Sequence, residues 1–249
     1  MSGHSKWATI KRKRAATDQA RGKLFSKYIK EITIAARHGG GDQEANPRLR
    51  TAVLAAKSVN MPASNIERAI KRGTGEIEGV HYEEAQYEGY GPGGVALLVE
   101  VATDNKNRTA GDIRHILTKH GGNMAEAGAV SYLFKPRGVI DVEKRAVAED
   151  TLIEIALDAG ADDVSTEGES FEVLTPPAAF EAVRAALAAK QIAVASAEVT
   201  KLASLQVPLS DREAEAVLRL VDALEEHDDV QKVHANFSIP EEVMARLSR

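Results

Sequence analysis

Catalysis and metal binding need donors that converge, and the titratable residues of this sequence are poorly spaced for it. His115 and His120 stand five residues apart, about 140° around a helix, so one ion cannot take both. Asp162 and Asp163 are neighbours in a turn-like segment, where adjacent side chains diverge. The run Asp104-Asn105-Lys106-Asn107 has the look of a calcium loop, but Lys106 stands at a ligand position and no Glu follows at the required spacing. His227 and His234 flank a loop and fit no pattern. Cysteine is absent, which removes disulfides, thiolate zinc sites and cysteine nucleophiles together. No G-x-S-x-G, Walker A or H-E-x-x-H string occurs. The sequence therefore predicts no catalytic residue, no metal, no cofactor and no small-molecule substrate.

Two segments have the composition of phosphate sites. Tyr90-Gly91-Pro92-Gly93-Gly94 precedes a strand, whereas phosphate loops follow a strand and open a helix, so a tight turn is the better reading. Asp104 to Arg108 does join a strand to a helix N-terminus and has amides and Arg108 to offer a phosphate; an ordinary helix cap is the better reading.

The cations are different. Residues 1–72 hold 16 Lys+Arg against 5 Asp+Glu, a net of +11, and residues 73–249 hold 16 against 32, a net of -16. The chain total of -5 is an average over two oppositely charged parts. Such asymmetry marks a basic module on an acidic body, and the favoured partner is a polyanion, promoter DNA or ribosomal RNA. The proposed phosphate contacts are Lys6, Lys11, Arg12, Lys13, Arg14, Lys23, Lys27, Lys30, Arg37, Arg68, Lys71 and Arg72. Trp7, among Lys6, Lys11 and Arg12, either stacks on a base or anchors the arm to the core.

These side chains must be carried by helices. Leu24, Tyr28 and Ile32, with Phe25, Ile29 and Ala36 beside them, recur at helical spacing, and Lys23, Lys27, Lys30 and Arg37 line another face. Gly39-Gly40-Gly41 stops that helix. Asn46 and Pro47 supply an N-cap and first-turn proline for a second helix bearing Leu49, Val53, Ala56 and Val59. Pro62 breaks it; Ser64 with Glu67 fits a capping box for a third, with Gly73 as its left-handed stop. A basic arm, Lys11 to Arg14, precedes this bundle.

Beyond it, strands and helices alternate. Strands are expected at Val95–Val101, Val130–Phe134, Val199–Val207 and Val230–Phe237, with helices over Arg108–His120 and after Ser210, capped by Glu213. Between them lie a strand at Val139–Val142, a helix at Glu149–Ala159, strands at Asp163–Ser165 and Ser170–Leu174, a helix capped by Thr175 and opened by Pro176, and a strand at Ile192–Ala197. That inner order is βαββαβ, the ferredoxin-like pattern, and the outer pieces make the same pattern when joined. The expected fold is α+β: an N-terminal helical bundle followed by two ferredoxin-like α/β units, one inserted in the other. The units are 1–78, 79–136 with 199–249, and 137–198.

A 43% hydrophobic and 28% charged composition is globular. Gly and Pro aside, no apolar run exceeds five residues, too short to span a membrane. The start has no apolar signal core, so a cytoplasmic protein is expected. Oligomeric state leaves no trace in the sequence.

Several strings together resemble the YebC/PmpR family: Ser2-Gly3-His4-Ser5-Lys6-Trp7, Asp18 to Phe25, Asn46 to Arg50, Asn60-Met61-Pro62 with Asn65 to Ile70, Tyr87 to Gly94, Thr103 to Thr109 and Lys119 to Asn123. The resemblance covers essentially the whole chain, and because it begins at Ser2 it leaves no room for an organelle transit peptide. It implies a helical bundle with two α/β units, and a DNA-binding transcriptional regulator of the cytoplasm. Mitochondrial relatives resemble translational activators, and bacterial ones are linked to ribosomes stalled on proline-rich stretches, so a ribosome-binding translation factor is the alternative. The resemblance implies no enzyme activity and no set of base-reading residues. A metal-dependent nuclease is the reading from the enzyme class, and no convergent carboxylate pair supports it.

Overall fold

The computed structural model describes residues 18–239, except 167 and 169. Three helices come first: α1 (Asp18–Gly39), α2 (Pro47–Ser58) and α3 (Ala63–Thr74). Asn46 makes the first corner. Its side-chain oxygen accepts from Leu49 N–H at 3.1 Å, and its amide donates to the carbonyls of Ala35 and Gly40 at 2.8 and 2.9 Å. One residue thus caps α2 and closes the end of α1. Ile32, Leu49, Val53, Ala56, Ile66 and Ala69 fill the core between the three helices.

The third helix departs from expectation at both ends. It starts at Ala63 directly after Pro62, so Ser64 and Glu67 lie inside it and form no capping box. It also runs past Gly73 to a left-handed Gly75, φ 83°. Gly73 serves packing instead: a Cβ there would sit 2.4 Å from the Thr33 carbonyl oxygen and 2.7 Å from Ala36 Cβ.

The first sheet contains β1 (Glu83–Tyr90), β2 (Ala96–Thr103), β3 (Asn123–Ala125) and β9 (Val230–Ala235), in the antiparallel order β3-β1-β2-β9. Helices α4 (Lys106–Lys119) and α7 (Asp211–Glu225) cover one face, where Leu97, Val99, Val101 and Val233 meet Ile113, Leu117, Val217 and Val221. The second sheet contains β4 (Phe134–Glu143), β5 (Asp163–Ser165), β6 (Ser170–Thr175) and β7 (Val194–Ala203), in the antiparallel order β5-β6-β4-β7. Helices α5 (Glu149–Asp158) and α6 (Phe180–Ala189) pack on it through Leu152, Ala156, Val183 and Leu187. All four strands of the second sheet lie in the chain between β3 and β9. A two-strand ribbon, β8 (Val207–Pro208) with β10 (Phe237–Ser238), completes the fold.

The second sheet has the strand order of a βαββαβ unit: β4 and β5 flank β6, and β6 and β7 flank β4. The first reaches a related arrangement by another route. The expected strand at Val130–Phe134 is a short 3-10 turn over Ser131–Leu133, and the strand returning from α4 is β3. The expected strand at Val199–Val207 is the far half of β7 and belongs to the second sheet. The missing member is β1, which precedes β2 and pairs between β2 and β3. The helix expected from Pro176 begins at Phe180, after a turn, with Thr175 still in β6. The Ser210–Glu213 box on α7 is present: Ser210 N–H donates to Glu213 at 3.0 Å.

Candidate nucleic-acid interface

At about 100° per residue, Lys23, Lys27, Lys30 and Arg37 fall within an arc of about 80° on α1, directly opposite Phe25, Ile32 and Ala36. Those three are core or packed on the core of the bundle. The lysine row therefore points away from the other two helices, as the sequence implies. It does not point to solvent. Lys23 Nζ donates to the Glu226 carbonyl at 3.2 Å, Lys27 Nζ to the Glu225 carbonyl at 2.9 Å, and Lys30 Nζ to the Asp228 carbonyl at 2.9 Å. Arg37 donates to the Tyr82 carbonyl at 2.9 Å. Ile34, on the same face, is 1% exposed.

Lys30 is the deepest of the four. It is 8% exposed, and its ammonium also lies 2.7 Å from Asp229 and 3.2 Å from the Ala102 carbonyl. Asp229, 5% exposed, further accepts from Thr109 at 2.7 Å, Arg108 at 2.8 Å and Thr103 at 3.1 Å. Burial opposes the Asp229 charge, but Lys30, Arg108 and Thr109 together hold its carboxyl far below the usual range. The expected phosphate role of Lys30 is thus corrected: the ammonium is spent on protein acceptors. Lys23, Lys27 and Arg37, half-buried, each have a body carbonyl as partner.

The electrostatic reason lies in α7. Its last residue and the turn behind it read Glu225-Glu226-His227-Asp228-Asp229, a run of carboxylates at the negative end of a helix, where charge of that sign is least welcome. The lysines of α1 supply, from a distant part of the chain, the cations that this end lacks.

Helix α3 keeps Arg68 and Lys71 outward. Arg68, Lys71 and Arg72 occupy one stripe, opposite the buried Ile66, Ala69 and Gly73. Arg68 and Lys71 are exposed, whereas Arg72 is half-buried, its Nε enclosed and without a hydrogen-bond partner among the described residues. No ion pair involves any of the three among the described residues. Lys6, Trp7, Lys11, Arg12, Lys13 and Arg14 lie outside the described residues.

Sequence reasoning missed Arg48. Its guanidinium meets Glu31 of α1 at 2.8 Å and Glu84 of β1 at 2.7 Å, tying bundle to sheet. Beside it opens a cleft of about 740 Å³ between α1, the polar face of the first sheet and Val199 of β7. Lys27, Arg48 and Lys232 line it together with Glu31, Glu84 and Glu100, and Lys232 is paired with Glu198 at 2.7 Å. Burial works against the Glu100 charge, yet His234 at 3.5 Å and Lys201 at 2.5 Å bring its carboxyl down to about 2. Mixed and paired charge of this kind gives a polyanion no net attraction.

The two phosphate-like segments are structural. Asn105 caps α4, accepting from Arg108 N–H at 3.1 Å, while Arg108 pairs with Asp104 and Asp229, each at 2.8 Å. Gly91 N–H donates to the Val95 carbonyl at 2.8 Å, and Gly93 and Gly94 take positive φ of 68° and 74°, so that loop is the turn feeding β2. Among the described residues no group of three His, Asp or Glu converges as a metal site, and no helix is long and apolar enough to cross a membrane.

Comparison with known proteins agrees along the whole chain. The model for the TACO1/YebC protein N-terminal domain matches residues 5–76, and the model for the TACO1/YebC second and third domain matches residues 82–237. A probable transcriptional regulatory protein of Syntrophobacter fumaroxidans is 58% identical over 249 residues, with all of both chains covered. One of Dictyoglomus turgidum is 57% identical over the same span, again with complete coverage of both. The crystal structure of a conserved hypothetical protein from Aquifex aeolicus superimposes with a TM-score of 0.81 at 49% identity, covering 91% of this chain and 94% of that one.

Proposed function

Since the chain belongs to the TACO1/YebC family, we propose that it regulates gene expression by binding promoter DNA, without catalysing a reaction. The grip is electrostatic, through Arg68, Lys71 and Arg72 on α3 and Lys6, Lys11, Arg12, Lys13 and Arg14 of the arm. The observation that carries this reading is the cationic stripe of α3, with Arg68 and Lys71 exposed and none of its three cations in an ion pair among the described residues, in a module of net +11 attached to a body of net -16. The names of the relatives, probable transcriptional regulatory proteins, support the regulatory role. The working parts in this reading are 1–78 as the grip and two α/β units, 79–136 with 199–249 and 137–198, whose acid faces turn away from nucleic acid. The protein acts in the cytoplasm.

Crosslinking in cells followed by sequencing of the attached nucleic acid tests the reading. Enrichment of promoter DNA is the expected result. Enrichment of ribosomal RNA would replace it with a translation factor acting on the ribosome, and no nucleic acid above background would remove both. Incubation of nucleic acid with the protein and Mg²⁺ or Mn²⁺ should leave the strands intact; cleavage would restore the nuclease.

A further inference from the structure

One helix of the acidic body turns a face without negative charge to the outside. At about 100° per residue, Asn107, Gly111, Arg114, His115, Thr118 and Lys119 of α4 fall within an arc of about 140°, opposite the buried Thr109, Ile113 and Leu117. All six are exposed, and no carboxylate lies in the arc. Asp112 stands just outside it, 3.3 Å from His227. Arg114 and Lys119 make no ion pair among the described residues. The other body helices differ: α5 exposes Glu149, Asp150, Glu154 and Asp158 and has no cation, and α7 exposes Asp211 and Glu215.

We propose that this face of α4 is a second contact for the backbone of duplex DNA. The proposal rests on the nucleic-acid reading above and adds to it a surface that the body's net charge of -16 conceals. Cations at the end of a helix complement its dipole, but that effect fades within the last turn. It accounts for Lys119 and not for Arg114, which lies further in. Gly111 points to a ligand independently. Glycine inside a helix is less stable than alanine, and neither of its usual reasons applies here. A Cβ at this position would meet nothing within 4 Å, and the backbone is not in the positive-φ region. The residue instead leaves bare main chain in the middle of the face, where a phosphate chain can come close. Arg114 and Lys119 stand beside it as charge-assisted donors, and Asn107 and His115 as further donors. A face with cations and no carboxylate matches a partner whose outer atoms are anionic acceptors.

The test uses the full chain and a labelled DNA duplex of ~20 base pairs, followed by fluorescence anisotropy between about 50 and 200 mM salt. Arg114→Gln with Lys119→Gln removes two phosphate contacts. Affinity should fall and the slope of log K against log salt should become shallower by about 1.8, so the parent should lose about 12-fold more affinity across that range than the variant. Lys135→Gln with Lys190→Gln, at two exposed lysines of the second sheet's unit, changes the net charge equally and should leave the slope at the parental value. Gly111→Gln keeps the charge and fills only open space, so it should weaken binding while Tm does not fall. An α4 double variant with the parental slope and affinity would overturn the proposal and leave the face to another partner, such as an acidic protein. So would an equal change of slope in the Lys135–Lys190 control, which would mean a general charge effect, or a Gly111→Gln variant that binds as the parent does. If the parent itself does not bind, the nucleic-acid reading fails first and the proposal with it.

Discussion

Replacing Asp229 by Ala should be among the most damaging single changes in the chain, and the structure sets its size. The carboxylate is 5% exposed and collects donors from three elements: Lys30 of α1, Thr103 of β2, and Arg108 and Thr109 of α4, all within 3.1 Å. Truncation leaves the Lys30 ammonium buried against carbonyls alone, with no countercharge. Breaking a buried pair in this way costs about 3–5 kcal/mol. At roughly 2–4 °C per kcal/mol for a chain of this size, Tm should fall by about 6–20 °C. Arg184→Ala is the control: its pair with Glu181 at 2.7 Å is exposed, so its loss should cost less than about 1 kcal/mol. Adding Lys30→Met to Asp229→Ala should recover at least about 1 kcal/mol, because the stranded charge is gone. Thermal and urea denaturation of the three variants and the parent measure all of this. The reasoning is refuted if Asp229→Ala stays within about 1 kcal/mol of the parent, or if the double variant is no better than the single one.

Other consequences follow from single contacts. Gly73→Ala should destabilise the bundle by about 1–2 kcal/mol in thermal unfolding: alanine's helix propensity favours the change by about 1 kcal/mol, but the new Cβ meets the Thr33 main chain at 2.4 Å and overpacking costs more. Glu88, 8% exposed, accepts from the N–H groups of Gly128, Val130 and Ser131 at 2.7, 2.6 and 2.8 Å; Glu88→Gln should cost about 1.5–3 kcal/mol and speed hydrogen exchange over residues 126–131. Stability should also depend on acid. The Glu100 and Asp229 carboxyls are held below their unfolded values, Glu100 at about 2. The unfolded chain therefore takes up protons first as pH falls, and the stability these groups provide is complete above about pH 5; the share of Glu100 is lost by about pH 2 and that of Asp229 at still lower pH. Urea midpoints at pH 7, 5 and 3 should show that loss, and Glu100→Gln should flatten it.

What was legible in the sequence was local. Asn46-Pro47 announces α2 because the cap and the proline act within one turn. The Ser210–Glu213 pair marks α7 for the same reason. Strand β1 stayed hidden because Glu83, Glu84 and Glu88 give it a charged, loop-like composition; only its pairing on both sides makes it a central strand. Periodicity placed the four cations of α1 on one face, correctly. It could not say what meets that face, since the acceptors lie up to 203 residues away. One signal was available: Ile34 shares the lysine face, and α1 is apolar nearly all round from Ile32 to Ala36, the mark of a helix covered on two sides. The stripe on α3 lacks such a residue and stays open.

The claim that this open stripe and the arm grip nucleic acid is tested most directly by salt. Binding of the full chain to a labelled ~20-base-pair duplex should give a slope of log K against log salt near -5 if about six phosphates are neutralised. Arg68→Ala with Lys71→Ala should weaken binding across sequences and make the slope shallower by about 1.8. A parental slope near zero, or a double variant with the parental slope and affinity, would contradict the account.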